Sequence, residues 1–262
     1  MESTIGRAPR TATAGRVVAH RGASRVAPEN TLAAFRAAAG QGAEWIEFDV
    51  SLLGDGTPVI HHDAGFERCT NRTGRLAHAS AGDLAGIDAG VRFGDAYRGE
   101  PVPTLAATLD LIEALGLSAN LEMKAHGDEE EALAGAVAEA LARRPWAEAR
   151  VLVSSFAHAT LRHLRARRPR QPVAVLWERL PAGWLETVRA LDAASVHLDW
   201  RRLRPGALAE LRGHGIEVRV YTINDPGRVA GLRDGGLTGV ITDHPPLFLE
   251  RADWAAWAAE PR

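Results

Sequence analysis

VLVSSFAHATLRHLRARRPRQPVAVLW, residues 151–177, decides the fold. An apolar run at 151–155 is followed by a stretch of helical period at 158–167, then by a second apolar run at 173–177. Apolar runs without polar alternation read as strands buried on both faces, the pattern of parallel strands covered by helices. The same unit recurs on either side. Further strands are expected at 16–20, 45–50, 118–124, 195–199, 217–223 and 239–243. Helices are expected near 31–40, 104–115, 128–143, 182–190, 205–214, 226–234 and 245–258, with Asn30 or Thr31 and Thr104 as N-caps for the first two. Eight strand–helix pairs in about 250 residues predict an α/β fold of the closed (β/α)8 TIM-barrel type. A doubly wound open sheet fits less well, because no GxGxxG follows the first strand.

Two stretches break this rhythm. DVSLLGDGTPVIHHD (49–63) reads as a strand, an Asp-Gly turn and a returning strand. Residues 64–103 lack helical period and read as an excursion on the C-terminal face of the barrel. The expected organisation is therefore one domain, residues 15–262, with a small insertion after the second strand at about 51–103. Residues 1–14 read as a disordered tail.

Composition narrows the function. The 262 residues are 46% hydrophobic and 24% charged, with a formal net charge of -2. Near-neutral charge argues against a nucleic-acid binder. No apolar run reaches the roughly 18 residues of a membrane span, so stable membrane insertion is not expected. The opening MESTIGRAPRTATAGR has no apolar core, so a secretion signal is not expected and a cytoplasmic location is. One cysteine, Cys69, excludes an intramolecular disulfide and CxxC zinc sites. Lys124 is the single lysine in a chain with 31 Lys plus Arg.

In such a barrel the strand C-terminal ends face the active site. The first strand ends in His20-Arg21, the second carries Glu47 and Asp49, and the third ends in Glu122 and Lys124. Residues two apart on a strand share a face, which pairs Glu47 with Asp49 and Glu122 with Lys124. Taking Asp55-Gly56 as a two-residue turn pairs Gly54 with Thr57 and sets Asp49 opposite His62. Three carboxylates suit a hard divalent cation, Mg²⁺ or Ca²⁺. Without one they would repel, and one would be expected to keep a proton. Arg21 and Lys124 supply positive charge for an anionic group such as phosphate. His20 and His62 exchange protons near neutral pH. Together these groups read as machinery for phosphoryl-ester hydrolysis.

The motifs HRGAS and APENT (20–31), IEFDV (46–50), GTPVIHHD (56–63) and LEMK (121–124) resemble those of the glycerophosphodiester phosphodiesterase family. SSF (154–156), YTIN (221–224) and GVITDHP (239–245) follow in the family's order, so the resemblance runs from about residue 16 to 250. It implies hydrolysis of a small-molecule glycerophosphodiester to glycerol 3-phosphate and an alcohol with one divalent cation. Glu47, Asp49 and Glu122 would be the metal ligands, His20 and His62 the general acid and base, and Arg21 and Lys124 the phosphate contacts. His62 takes the role rather than His61, because the family's histidine directly precedes an aspartate, here Asp63. Tyr221 stands where the family usually has Trp, which bears on the alcohol pocket. Met123 stands for Ile on a face turned away from the site.

Glu29, Asn30 and Asp63 are candidates for the groups behind this cluster. Phe156, Trp177, Trp200 and Tyr221 are candidates for the pocket wall. The arginines of 143–170 read as a solvated helix face. His126, His158, His163, His214 and His244 show no metal-ligand spacing, and Cys69 reads as inert. Two other functions share the barrel. One is lysophospholipid cleavage of the phospholipase D type, whose venom relatives are secreted and disulfide-bonded. The other is a phosphodiester-binding barrel without catalysis, which would be expected to lack a ligand or a histidine.

Overall fold

The computed structural model describes residues 16–259. The expected tail at 1–14 lies outside them. Nine strands form one sheet: β1 (Val17–Ala19), β2 (Trp45–Leu52), β3 (Pro58–Ile60), β4 (Ser118–Met123), β5 (Val151–Ser155), β6 (Val173–Trp177), β7 (Ser195–Asp199), β8 (Glu217–Tyr221) and β9 (Gly239–Thr242). All pairs are parallel except β2–β3. β1 pairs with both β9 and β2, so the eight parallel strands close into a barrel. Helices lie between them: α1 (Leu32–Gly40), α2 (Leu105–Leu115), α3 (Glu130–Ala142), α4 (Ala147–Arg150), α5 (His158–Arg167), α6 (Trp184–Ala190), α7 (Ala207–Gly213), α8 (Pro226–Val229), α9 (Pro246–Leu249) and α10 (Ala252–Ala259).

Every residue of β2 is buried. One face packs on the helices; the other fills the barrel, where Val18, Trp45, Leu152, Ala174 and Ile241 pack together. Thr31 and Thr104 cap α1 and α2 by accepting from Ala34 N–H and Ala107 N–H. Among the described residues no helix is long and apolar enough to cross a membrane.

Three local expectations are corrected. The helix at 226–234 is one α turn followed by a 3-10 turn, Ala230–Leu232; Gly227, Gly231, Gly235 and Gly236 weaken that stretch as a helix. The helix at 245–258 breaks after Leu249, and the second segment folds back so that Trp254 meets Phe248 edge to face at 4.8 Å. The third correction concerns the hairpin. Val50 pairs with Ile60 and Leu52 with Pro58, so Asp49 lies opposite His61, not His62. The loop has three residues, because Leu53 N–H bonds Thr57 C=O and Gly56 N–H bonds Leu53 C=O. Gly56 takes the left-handed conformation, φ +83, as the residue after a tight turn in such loops does. One extra loop residue slips the register by one.

Beyond β3 the chain runs through short 3-10 turns at Leu76–His78, Ala81–Gly86 and Asp95–Tyr97. A separate small core of Leu53, Val59, Phe66, Leu76, Ala79, Ile87, Ala89 and Val102 holds this stretch.

Candidate active site

β1 delivers His20 and Arg21 at its C-terminal end. The chain then turns sharply, with Arg21 at φ 55 and Gly22 at φ 82. A Cβ on Gly22 would lie 2.6–2.8 Å from Ala34 atoms, so only glycine lets this loop reach α1. The turn aims Arg21 N–H at Glu47 Oε2, 2.9 Å away. The Arg21 side chain places Nε 3.0 Å from Asp49 Oδ2 and Nη1 2.7 Å from Glu29 Oε1.

Glu47, Asp49 and Glu122 come from adjacent strands, with Asp49 and Glu122 paired in register. One carboxylate oxygen from each lies within 4.8 Å of the others, and all three residues are buried. Burial, then repulsion from Asp49 and Glu122, pushes the Glu47 carboxyl well above its ordinary range. Burial pushes Glu122 up to about 7 against the pull of Lys124. Asp49 feels the same burial, yet Lys124, Arg21 and His62 hold it well below the usual carboxylate range. Lys124 Nζ contacts Glu122 and lies 3.3 Å from Asp49 Oδ1. Asn30, also left-handed at φ 58, donates to Asp49 Oδ2 and accepts from Asp49 N–H. Buried Glu47 Oε1 has no hydrogen-bond partner. A buried acidic cluster with an orphaned oxygen and one member pushed to its neutral form fits a hard divalent cation.

The two histidines share one design. His20 Nδ1 lies 2.7 Å from Asp243 Oδ1, and His62 Nδ1 lies 2.7 Å from Asp63 Oδ1. Both aspartates feel burial, but their hydrogen bonds outweigh it and hold each carboxyl near 2. An ionised partner fixes the proton on Nδ1 and leaves Nε2 free. His61, by contrast, turns away: its Nε2 meets Gly65 C=O at 2.9 Å and its ring packs on Phe66. The chain leaves the strand after Ile60, which is why His62 reaches the site although it does not face Asp49 in the ladder.

His20, Arg21, Glu47, His62, Glu122 and Lys124 all line one cavity of about 280 Å³ at the strand C-terminal ends. Phe156 and Tyr221 form its outer wall, with rings 6.0 Å apart. Trp177 does not line it; its ring packs edge-on against His158, and its carbonyl accepts from Tyr221 Oη. Trp200 lines a neighbouring surface hollow instead. Behind the site, Arg68 bridges Glu29 and Asp63, and Ser24 and Asn224 donate to Asp243. Arg68 is not singled out by the sequence; Ser24, Asn224 and Asp243 fall within the HRGAS, YTIN and GVITDHP motifs, which give them no partner. Asp243 sits 223 residues from His20 in the chain, and only barrel closure joins them. Fully buried His197 also borders the cavity.

The arginines of 143–170 are engaged locally. Arg144 bonds Asp110, Arg150 bonds Leu117 C=O, Arg167 bonds Glu131 and Arg170 bonds Glu148.

Residues 20–247 match the sequence profile of the glycerophosphoryl diester phosphodiesterase family. A glycerophosphodiester phosphodiesterase of Caldanaerobacter subterraneus is 32% identical over 89% of this chain and 96% of its own. One from Bacillus subtilis is 30% identical over 88% of this chain and 84% of its own. Among solved structures, a phosphodiesterase of Oleispira antarctica in complex with the product sn-glycerol-3-phosphate superposes with a TM-score of 0.85 and 32% identity, covering 94% of this chain and 97% of that one.

Proposed function

The chain belongs to the glycerophosphoryl diester phosphodiesterase family and is a phosphodiesterase; we propose that it hydrolyses glycerophosphodiesters to glycerol 3-phosphate and an alcohol, with His20 and His62 as general acid and base. The observation that carries this reading is the pair of imidazoles, each held at Nδ1 by an aspartate, bordering the cavity that Glu47 and Glu122 of the three-acid cluster also line. The product bound in the Oleispira relative supports the same substrate class.

Glu47, Asp49 and Glu122 would hold a divalent cation, Mg²⁺ or Ca²⁺. Such an ion supplies charge neutralisation for the phosphoryl oxygens. Arg21 and Lys124 bind the remaining oxygens of the diester and orient it. Burial depresses the His62 imidazole below its ordinary value, so it is neutral at pH 7 and ready to accept a proton. The two Nε2 atoms handle the two proton movements, one taking the proton from the attacking oxygen and one returning a proton to the leaving alcohol. Asp63 and Asp243 stabilise whichever ring is charged. Phe156 and Tyr221 meet the alcohol as it leaves through the outer wall. We read residues 15–262 as one catalytic domain, with about 51–103 inserted.

The test is a panel of glycerophosphodiesters carrying choline, ethanolamine, glycerol or inositol, scored by release of glycerol 3-phosphate. Turnover of at least one member is expected. A panel with no release at saturating Mg²⁺ or Ca²⁺ overturns the reading.

A further inference from the structure

Arg68 lies in the stretch beyond β3, outside the barrel wall, yet it makes the densest set of charge-assisted bonds around the site. Nη1 and Nη2 grip Glu29 at 2.7 and 2.9 Å. Nε meets Asp63 Oδ2 at 2.5 Å. The other oxygen of Asp63 holds His62 Nδ1, and Glu29 Oε1 also holds Arg21 Nη1. The result is an unbroken chain of alternating charge, Arg21–Glu29–Arg68–Asp63–His62, from one side of the cavity to the other.

We propose that Arg68 is a positioning residue: it fixes the Asp63 carboxylate so that His62 presents Nε2 to the substrate. The proposal rests on the role given to His62 above. The planar guanidinium suits it, because its fork binds one carboxylate bidentately and leaves Nε for a second. Asp63 needs such a partner. It is adjacent to His62 in sequence, its side chain is about a third exposed, and no other side chain bonds its Oδ2 among the described residues. Without Arg68 the carboxylate is free to rotate into solvent, and the His62 proton loses its fixed place on Nδ1. Glu29 anchors the guanidinium from the other side; despite burial, Arg68 and Arg21 hold its carboxyl down to about 2, so it stays charged.

The test compares variants on glycerophosphocholine. Arg68→Ala is expected to lose about 10–100-fold in kcat, the range for groups behind a catalytic side chain, with KM changed by less than about threefold. Added guanidinium should restore part of that loss where equal sodium chloride does not. Arg72→Ala removes a neighbouring arginine that pairs with Asp83 over the Phe66 ring. It reports on loosening of the inserted stretch and should keep wild-type kcat. Combining Arg68→Ala with Asp63→Asn should cost no more than the larger single loss, because both act through one unit. Independently of turnover, nitrogen NMR of the His62 ring should show the Nδ1-protonated tautomer in the wild type and a tautomer mixture in Arg68→Ala. Wild-type kcat in Arg68→Ala, multiplicative losses in the double variant, or an unchanged His62 tautomer overturns the proposal. A wild-type enzyme that turns over no glycerophosphodiester overturns the substrate assignment instead, and the His62 tautomer still decides the role of Arg68.

Discussion

At the scale of single residues, the proposed reaction depends on two proton carriers and on one backbone turn. Replacing His20 or His62 with Ala should reduce kcat by roughly 10²–10⁴, the usual contribution of general acid–base catalysis. The thermal midpoint should stay near that of the wild type, since both rings border an open cavity. A variant within about tenfold of wild-type rate contradicts the assignment. Two glycines with the same φ should respond differently to Ala. Gly56 has nothing within 4 Å of an added Cβ, so Gly56→Ala pays only for its left-handed backbone, about 1 kcal/mol. Gly22→Ala meets the Ala34 backbone as well and should cost about 2–4 kcal/mol and most of the activity, because that turn sets Arg21 against Glu47 and Asp49. Urea unfolding midpoints rank the two.

At the scale of elements, the ladder through Glu29, Arg68 and Asp63 ties the β1–α1 connection to the stretch beyond β3. Glu29 and Asp63 both sit near 2 when folded, below their ordinary 4.5 and 3.8. A depressed carboxyl stabilises the fold above its unfolded value and loses that stabilisation as pH falls toward its folded value. Thermal midpoints should therefore decline between about pH 4.5 and 2. Glu29→Gln should be less stable than the wild type at pH 7, with a shallower decline; equal slopes would remove Glu29 from the balance. The strands themselves were legible in the sequence, because burial on both faces leaves continuous apolar runs such as VLVSS and VAVLW. Glu47, Asp49, Glu122 and Lys124 were legible from period two on those runs. The hairpin register was not, since one loop residue more or less is invisible to alternation. His62 reached the cavity for a reason the ladder does not supply, namely where β3 ends. Arg68 was hidden because its partners come from other elements of the chain; Asp243 was legible as the end of the eighth expected strand in GVITDHP, but its pairing with His20 was not.

At the scale of the whole molecule, positive and negative charge meet at one end of the barrel, and the acids outnumber what Arg21 and Lys124 neutralise there. Chelation with EDTA should abolish turnover, and Mg²⁺ or Ca²⁺ should restore it. The cation should also raise the thermal midpoint, because a ligand bound only by the folded state stabilises it by about 2.7 kcal/mol at a hundred times its Kd. Full activity in chelator, or a midpoint indifferent to both ions, removes the cation from the reaction.

The bond between His20 and Asp243 joins the first strand of the barrel to the residue that follows the last. A ribosome must therefore synthesise the chain through residue 243 before this imidazole acquires its carboxylate. Partly synthesised chains and proteolytic fragments that stop short of that point carry every acid of the cluster but not the completed pair. Ester cleavage is thus expected to switch on only with barrel closure, as a property of the completed ring of strands rather than of any partial one.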